Sequence, residues 1–271
     1  MIVTLNDGAK TTVERWGNSG PVMLCVHGMT SSRRSWLRLA HRFSDRYQVV
    51  AYDQRGHGDS ATVDGPMALE RGVQDCLDVA AAIGGADILV GHSWGGAVVI
   101  RAGETLDVRG VVTIDPMIVQ VDREWYDEYV TELAESFAVA GETRDAATRA
   151  EYAEWHPDDV EGKVHAVHTM TTRPIEGLRD ENDLANWDLR SDIAAYRKPL
   201  LLLMAGTDRS IVPENISNDV KAHHEPNVRI ETFTNQAHNL HRTDFDRFAN
   251  VMDEFLETLR RSNVGDKYYL Q

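Results

Sequence analysis

Short apolar runs alternate with stretches of helical period along most of the chain. Met1–Leu5 and Lys10–Trp16 read as two strands, and the Asp7-Gly8 pair between them is a strong hairpin signal. Pro21–Val26 is a continuous apolar run, as expected of a strand covered on both faces. Tyr47–Tyr52, Ala86–Val90, Val108–Ile114, Pro199–Met204 and Val228–Phe233 have the same strand character. Helical spacing fills the intervals. Trp36, Leu37, Leu39 and Ala40 begin one helix, and Leu69, Val73, Cys76, Leu77, Ala80 and Ile83 mark another, stopped by Gly84-Gly85. An Ala/Val-rich run follows Ser93, a short helix is expected over Glu214–His223, and Phe245 to Leu259 form the last. This alternation predicts an α/β fold: a mostly parallel central sheet with helices on both faces.

The pattern changes between Pro116 and Arg197, where no apolar strand run occurs. Trp125, Tyr126, Tyr129, Val130, Leu133 and Phe137 lie on one helical stripe, and Pro157 and Pro174 stand where prolines open helices. The expected organisation is therefore a core of residues 1–115 and 198–271, with a helical insertion at 116–197.

In an open α/β sheet the site lies at the carboxyl ends of the strands. Those ends carry His27-Gly28-Met29, Asp53, Ser93, Asp115, Asp208 and His238. Such a convergence of nucleophile, acids and bases argues for an enzyme. Gly91-His92-Ser93-Trp94-Gly95, set between a buried strand and a helix, describes a nucleophile elbow. There the serine occupies a tight turn in an unfavourable backbone conformation, with the helix N-terminus aimed at the reacting centre.

Composition narrows the partners. The net charge of −15 over 271 residues argues against nucleic acid or an anionic membrane. No run of about 18 apolar residues is present, so no membrane span is expected. The first residues lack a signal-peptide pattern, and Cys25 and Cys76 both fall in apolar patterns, which fits buried thiols and a cytoplasmic location. No ligand spacing suggests a metal, and no motif calls for a cofactor. Ser262–Gln271 is polar apart from Tyr268-Tyr269-Leu270.

The His27-Gly28 turn, the Asp53–Ser60 loop, the Gly91–Gly96 elbow, the Gly206-Thr207-Asp208 turn and the Ala237-His238 turn together resemble the α/β-hydrolase family, in that family's order. The resemblance covers most of the chain and implies that residues 116–197 form a cap over the pocket. It also implies a triad of Ser93 as nucleophile, His238 as base and Asp208 as acid, with Asp115 a competitor for the acid because some members take it from the strand before the cap. His241, three residues beyond His238, is a weaker candidate base. His27 and His57 are expected to bond backbone, His92 to pack below the elbow, and Asp53 to order the Arg55 loop. The amides of Met29 and Trp94 stand at the oxyanion positions, with both side chains expected on the pocket wall. Trp125, Tyr126, Tyr129, Trp155 and Trp187 are candidates to face a substrate from the insertion.

A serine nucleophile excludes the aspartate chemistry of epoxide hydrolases and dehalogenases. The expected reaction is carboxylic ester or lactone hydrolysis through an acyl-enzyme, with amide, peptide or carbon–carbon cleavage as alternatives and a small-molecule receptor as the non-enzymatic one. Oligomeric state is not readable. Residues 116–197 hold 19 Asp and Glu against 8 Lys and Arg, a net −11. Charge of one sign near an entrance repels its own sign, so neutral or cationic substrates are expected. The same reasoning counts against cleavage of dienoate acids, which would call for an arginine at the site.

Overall fold

The computed structural model describes residues 1–60, 65–119, 123–137, 141–183, 186–206 and 210–266. Eight strands form one sheet: β1 (Ile2–Thr4), β2 (Lys10–Trp16), β3 (Val22–Val26), β4 (Gln48–Tyr52), β5 (Ile88–His92), β6 (Gly110–Ile114), β7 (Leu200–Ala205) and β8 (Val228–Phe233). Their spatial order is β1-β2-β4-β3-β5-β6-β7-β8. The hairpin β1–β2 and the β2–β4 pairing are antiparallel, and every pairing from β4 through β8 is parallel.

The central strands β3 to β7 read as apolar runs because successive residues enter two different cores. Leu24, Val50, Leu89, Val111 and Leu202 face one side, against helices α2 (Leu69–Ala82) and α3 (Trp94–Thr105). Met23, Cys25, Val49, Val90, Val112 and Leu203 face the other, against α1 (Leu37–Phe43) and the long C-terminal helix, whose Phe248, Met252 and Phe255 are buried. A sheet covered on both faces has no solvated side to carry polar residues, so the alternation seen in one-sided sheets is missing. Cys25 and Cys76 are free and buried, and burial raises both thiols, Cys76 to about 12.

Between β6 and β7 the chain forms only helices among the described residues: α4 (Arg123–Phe137), α5 (Gly141–Glu151), α6 (Pro157–Thr169), α7 (Arg173–Glu181) and α8 (Arg190–Ala194). Pro157 and Pro174 do stand in the first turns of α6 and α7. After β7 come α9 (Glu214–Ala222), β8, a single turn α10 (Leu240–Thr243) and α11 (Phe245–Asp266). The side chains of Trp125, Tyr126 and Phe137, and residues 267–271 with Tyr268-Tyr269-Leu270, lie outside the described residues.

The crossing of β5 into α3 fixes the geometry of the whole sheet end. Ser93 sits between them at φ 57° and ψ −120°, one of two non-glycine residues with positive φ among those described. A Cβ on Gly95 would fall well inside contact distance of the Val26 and His27 carbonyls, so α3 approaches β3 only because that position is bare. Gly95→Ala is therefore expected to destabilise the protein by about 2–3 kcal/mol, as forced overpacking does. Equilibrium denaturation checks this, with a lowered midpoint and an unchanged denaturant slope.

Candidate active site

Ser93, His238 and Asp115 come from three separate strand ends. His238 follows β8, and its Nδ1 lies 2.7 Å from Oδ2 of Asp115, the residue just after β6. With Nδ1–H donating to the carboxylate, Nε2 is left with the lone pair that a general base needs. Asp115 is wholly buried and accepts three further hydrogen bonds: Ala205 N–H at 2.9 Å and Ser210 Oγ at 2.5 Å on Oδ1, and Ile211 N–H at 3.2 Å on Oδ2. The acid expected first from the sequence, Asp208, lies outside the described residues. The carboxylate that the structure puts on His238 is its competitor, Asp115.

Ser93 and His238 line one cavity of about 210 Å³. Gly28 borders the serine so closely that a Cβ there would sit 3.1 Å from Ser93 Cβ and 3.0 Å from His92 Nδ1. The amide N–H groups of Met29 and Trp94 have no acceptor among the described residues, which leaves them free to bind an oxyanion. The Met29 segment is held from behind, where ring nitrogens of His57 lie 2.5 Å from the Met29 carbonyl and 3.0 Å from that of Arg55. His27 accepts from the Gln54 amide at 3.0 Å and donates to its neighbour Gly28 at 2.7 Å.

His92 is not merely packed below the elbow. It is buried, lines the cavity, and donates from Nε2 to the carbonyl of His238 at 3.0 Å. Its ring lies between those of His238 and His241, with centroids 4.6 and 4.5 Å away. His241 does not line the cavity, and its Nε2 accepts from Arg242 Nε at 3.3 Å. Asp53 accepts from the Asp59 amide of its own loop at 2.9 Å, and also pairs with Arg33 and accepts from the Arg33 amide at 2.8 Å. Arg55 is held by Asp75 and Asp7 instead.

Of the aromatic candidates in the insertion, Tyr129 and Trp155 line the cavity together with Tyr152. The side chains of Trp125 and Tyr126 are not among those described. Trp187 is buried, donates from Nε1 to the Met117 carbonyl at 3.1 Å, and packs 5.5 Å from Trp94. The Trp94 indole lies on that side, near Gly72, and Trp94 does not line the cavity that holds Ser93, whereas Met29 does.

Two basic residues went unnoticed in the sequence, Lys163 on α6 and Arg242 on α10, and both line the cavity. Lys163 is the sole lysine between Pro116 and Arg197, which was the one available signal. Burial, aided by Arg242 beside it, pushes the Lys163 ammonium down to about 8. No Asp or Glu lines the cavity among the described residues. The steering expectation summed the charge of the whole insertion, whereas the lining carries the opposite sign.

Comparison with known proteins places the chain in a family. The profile of the "Alpha/beta hydrolase family" matches residues 23–251. N-formylmaleamate deformylase of Pseudomonas putida is 27% identical over 260 residues, 93% of this chain and 94% of that protein. The non-heme haloperoxidase of Rhodococcus erythropolis is 26% identical over 284 residues, 94% and 99% of the two chains. Among solved structures, E-2-(acetamidomethylene)succinate hydrolase superposes with a TM-score of 0.74 at 20% identity, over 95% of this chain and 98% of that one. An esterase from Exiguobacterium antarcticum gives 0.72 at 17% identity, over 95% and 99%.

Two measurements follow from the geometry. Asp115→Asn is expected to lower turnover by on the order of 10⁴, since an amide cannot hold the His238 tautomer, while Asp208→Asn costs far less. The reverse ranking would return the acid role to Asp208. Burial also holds His27, His57, His92 and His241 below their ordinary value of 6.5, so they stay neutral in the fold and bind protons on unfolding. Their contribution is complete above pH 6.5 and falls as pH drops below it. Denaturation midpoints measured from pH 7.5 to 5 should decline over that window.

Proposed function

Because the chain belongs to the α/β-hydrolase family, we propose that it is a serine hydrolase that cleaves a carboxylic ester through an acyl-enzyme. The observation that carries this reading is the 2.7 Å contact between His238 Nδ1 and the buried Asp115 carboxylate, on a histidine that shares its cavity with Ser93. Ser93 Oγ attacks the carbonyl carbon as His238 Nε2 takes the hydroxyl proton. The resulting imidazolium is stabilised by Asp115, and the oxyanion by the amides of Met29 and Trp94. Collapse expels the alcohol, which receives the proton from His238. Water then repeats the sequence on the acyl-enzyme and releases the acid.

In this reading the helices at 116–197 act as a cap, since Tyr129, Tyr152, Trp155 and Lys163 all contribute to the cavity wall. A cavity near 210 Å³ suits a small acyl group. Amide hydrolysis is the second reading, favoured by one observation: a relative aligned over 93% of this chain is named a deformylase. The same triad serves both, because the leaving group takes its proton from His238 in either case.

Ser93→Ala should lose several orders of magnitude in turnover and all labelling by a fluorophosphonate probe, with an unchanged unfolding midpoint. Labelling that survives the substitution, or near-native turnover without the hydroxyl, would overturn the assignment.

A further inference from the structure

Lys163 and Arg242 line the cavity but take no part in the acyl-transfer steps above. Arg242 is 5% exposed, yet among the described residues it has no carboxylate within ion-pair distance. Its guanidinium lies 4.8 Å over the Trp155 ring, with Nε on His241 at 3.3 Å and Nη2 on Ser31 Oγ at 3.4 Å. Nη1 makes no hydrogen bond among the described residues, although the residue lines the cavity. Lys163 is half-buried, donates to the Thr30 carbonyl at 3.3 Å, and lies 5.6 Å over the Tyr152 ring.

The nearby acids are already committed or stand outside. Asp159 is buried, bonds Arg38 at 3.1 Å and also attracts Arg242, while Glu151, which attracts Lys163, is exposed; neither carboxylate lines the cavity. Two cations beside one another in a cavity wall repel, and an anion placed between them relieves that repulsion. Both touch the segment Thr30–Ser31, next to Met29, whose amide is an oxyanion donor in the reading above.

We propose that Arg242 and Lys163 form a carboxylate subsite, so that the substrate is a small acyl compound bearing a free carboxylate a few bonds from the scissile carbonyl. This rests on the serine-hydrolase reading for where the carbonyl sits. An arginine fork with an ammonium beside it supplies up to three donors to one carboxylate, with the aromatic rings of Trp155 and Tyr152 walling off water.

The test compares kcat/KM for monomethyl succinate and methyl butyrate, which differ only in the terminal carboxylate. The wild-type protein should favour the succinate ester at least tenfold, and Lys163→Gln or Arg242→Gln should cut that ratio by about tenfold to a hundredfold. Lys163→Arg should restore most of it. Should Arg242→Gln fail to fold, Lys163→Gln with a checked unfolding midpoint carries the comparison. Wild-type protein should also bind succinate by calorimetry, and Lys163→Gln should weaken that binding by a similar factor. An ester ratio near one, a preference untouched by the substitutions, or no succinate binding would overturn the subsite. Succinate binding that depends on Lys163, in a protein that neither turns over esters nor takes the fluorophosphonate label, would keep the subsite and overturn the hydrolase reading instead.

Discussion

One buried carboxylate ties the sheet end together. Asp115 closes β6 with φ 40°, and its two oxygens receive bonds from β7, from the segment at Ser210–Ile211 and from His238 after β8. Four donors around one carboxylate fix where it sits, so the imidazole that bonds it is placed within hydrogen-bond tolerance. The loop carrying His238 is then held a second time, by His92 on its carbonyl. His238 is thus anchored through its ring to Asp115, just past β6, and through its backbone to β5, the strand that leads into Ser93.

The elbow imposes a complementary constraint from the other side. Ser93 has a backbone conformation that costs on the order of 1–3 kcal/mol and persists because its surroundings over-determine it. Its carbonyl accepts from Gly96 and Met117, and its amide donates to Ile114 at 3.0 Å. Those bonds bring β6 and the start of the insertion directly against the nucleophile. The insertion therefore begins at the active site, which is why its helices reach the cavity at all.

The fold was legible because the central strands β3 to β7 are apolar runs bounded by glycine or a polar loop, and helices such as α2 and α11 show one apolar stripe. Gly91-His92-Ser93-Trp94-Gly95 was legible because the conformation needs glycine at fixed spacing. The acid was not. Asp115 and Asp208 both end strands, and spacing along the chain does not say which loop turns its carboxylate toward β8. Trp94 shows the same limit, since a tryptophan beside a nucleophile can face the substrate or the core with identical sequence. Arg242 was hidden for another reason: an arginine four residues beyond the base, on a single helical turn, looks like any solvated loop cation.

The charge of the insertion shows how local burial overrides a sum. Many of its acids are half-exposed or exposed and lie against arginines, as Asp127 and Asp180 do with Arg179, Glu161 with Arg149, and Asp188 with Arg190. Exposed pairs of that kind are screened by solvent and salt over about 8 Å, so they project little field into a cavity. Arg242 and Lys163 act from its wall, where the effective dielectric is lower than in bulk water. A charge at contact distance in a desolvated wall outweighs several on the outer surface. The protein can be strongly acidic as a whole and still present a basic wall to what it binds.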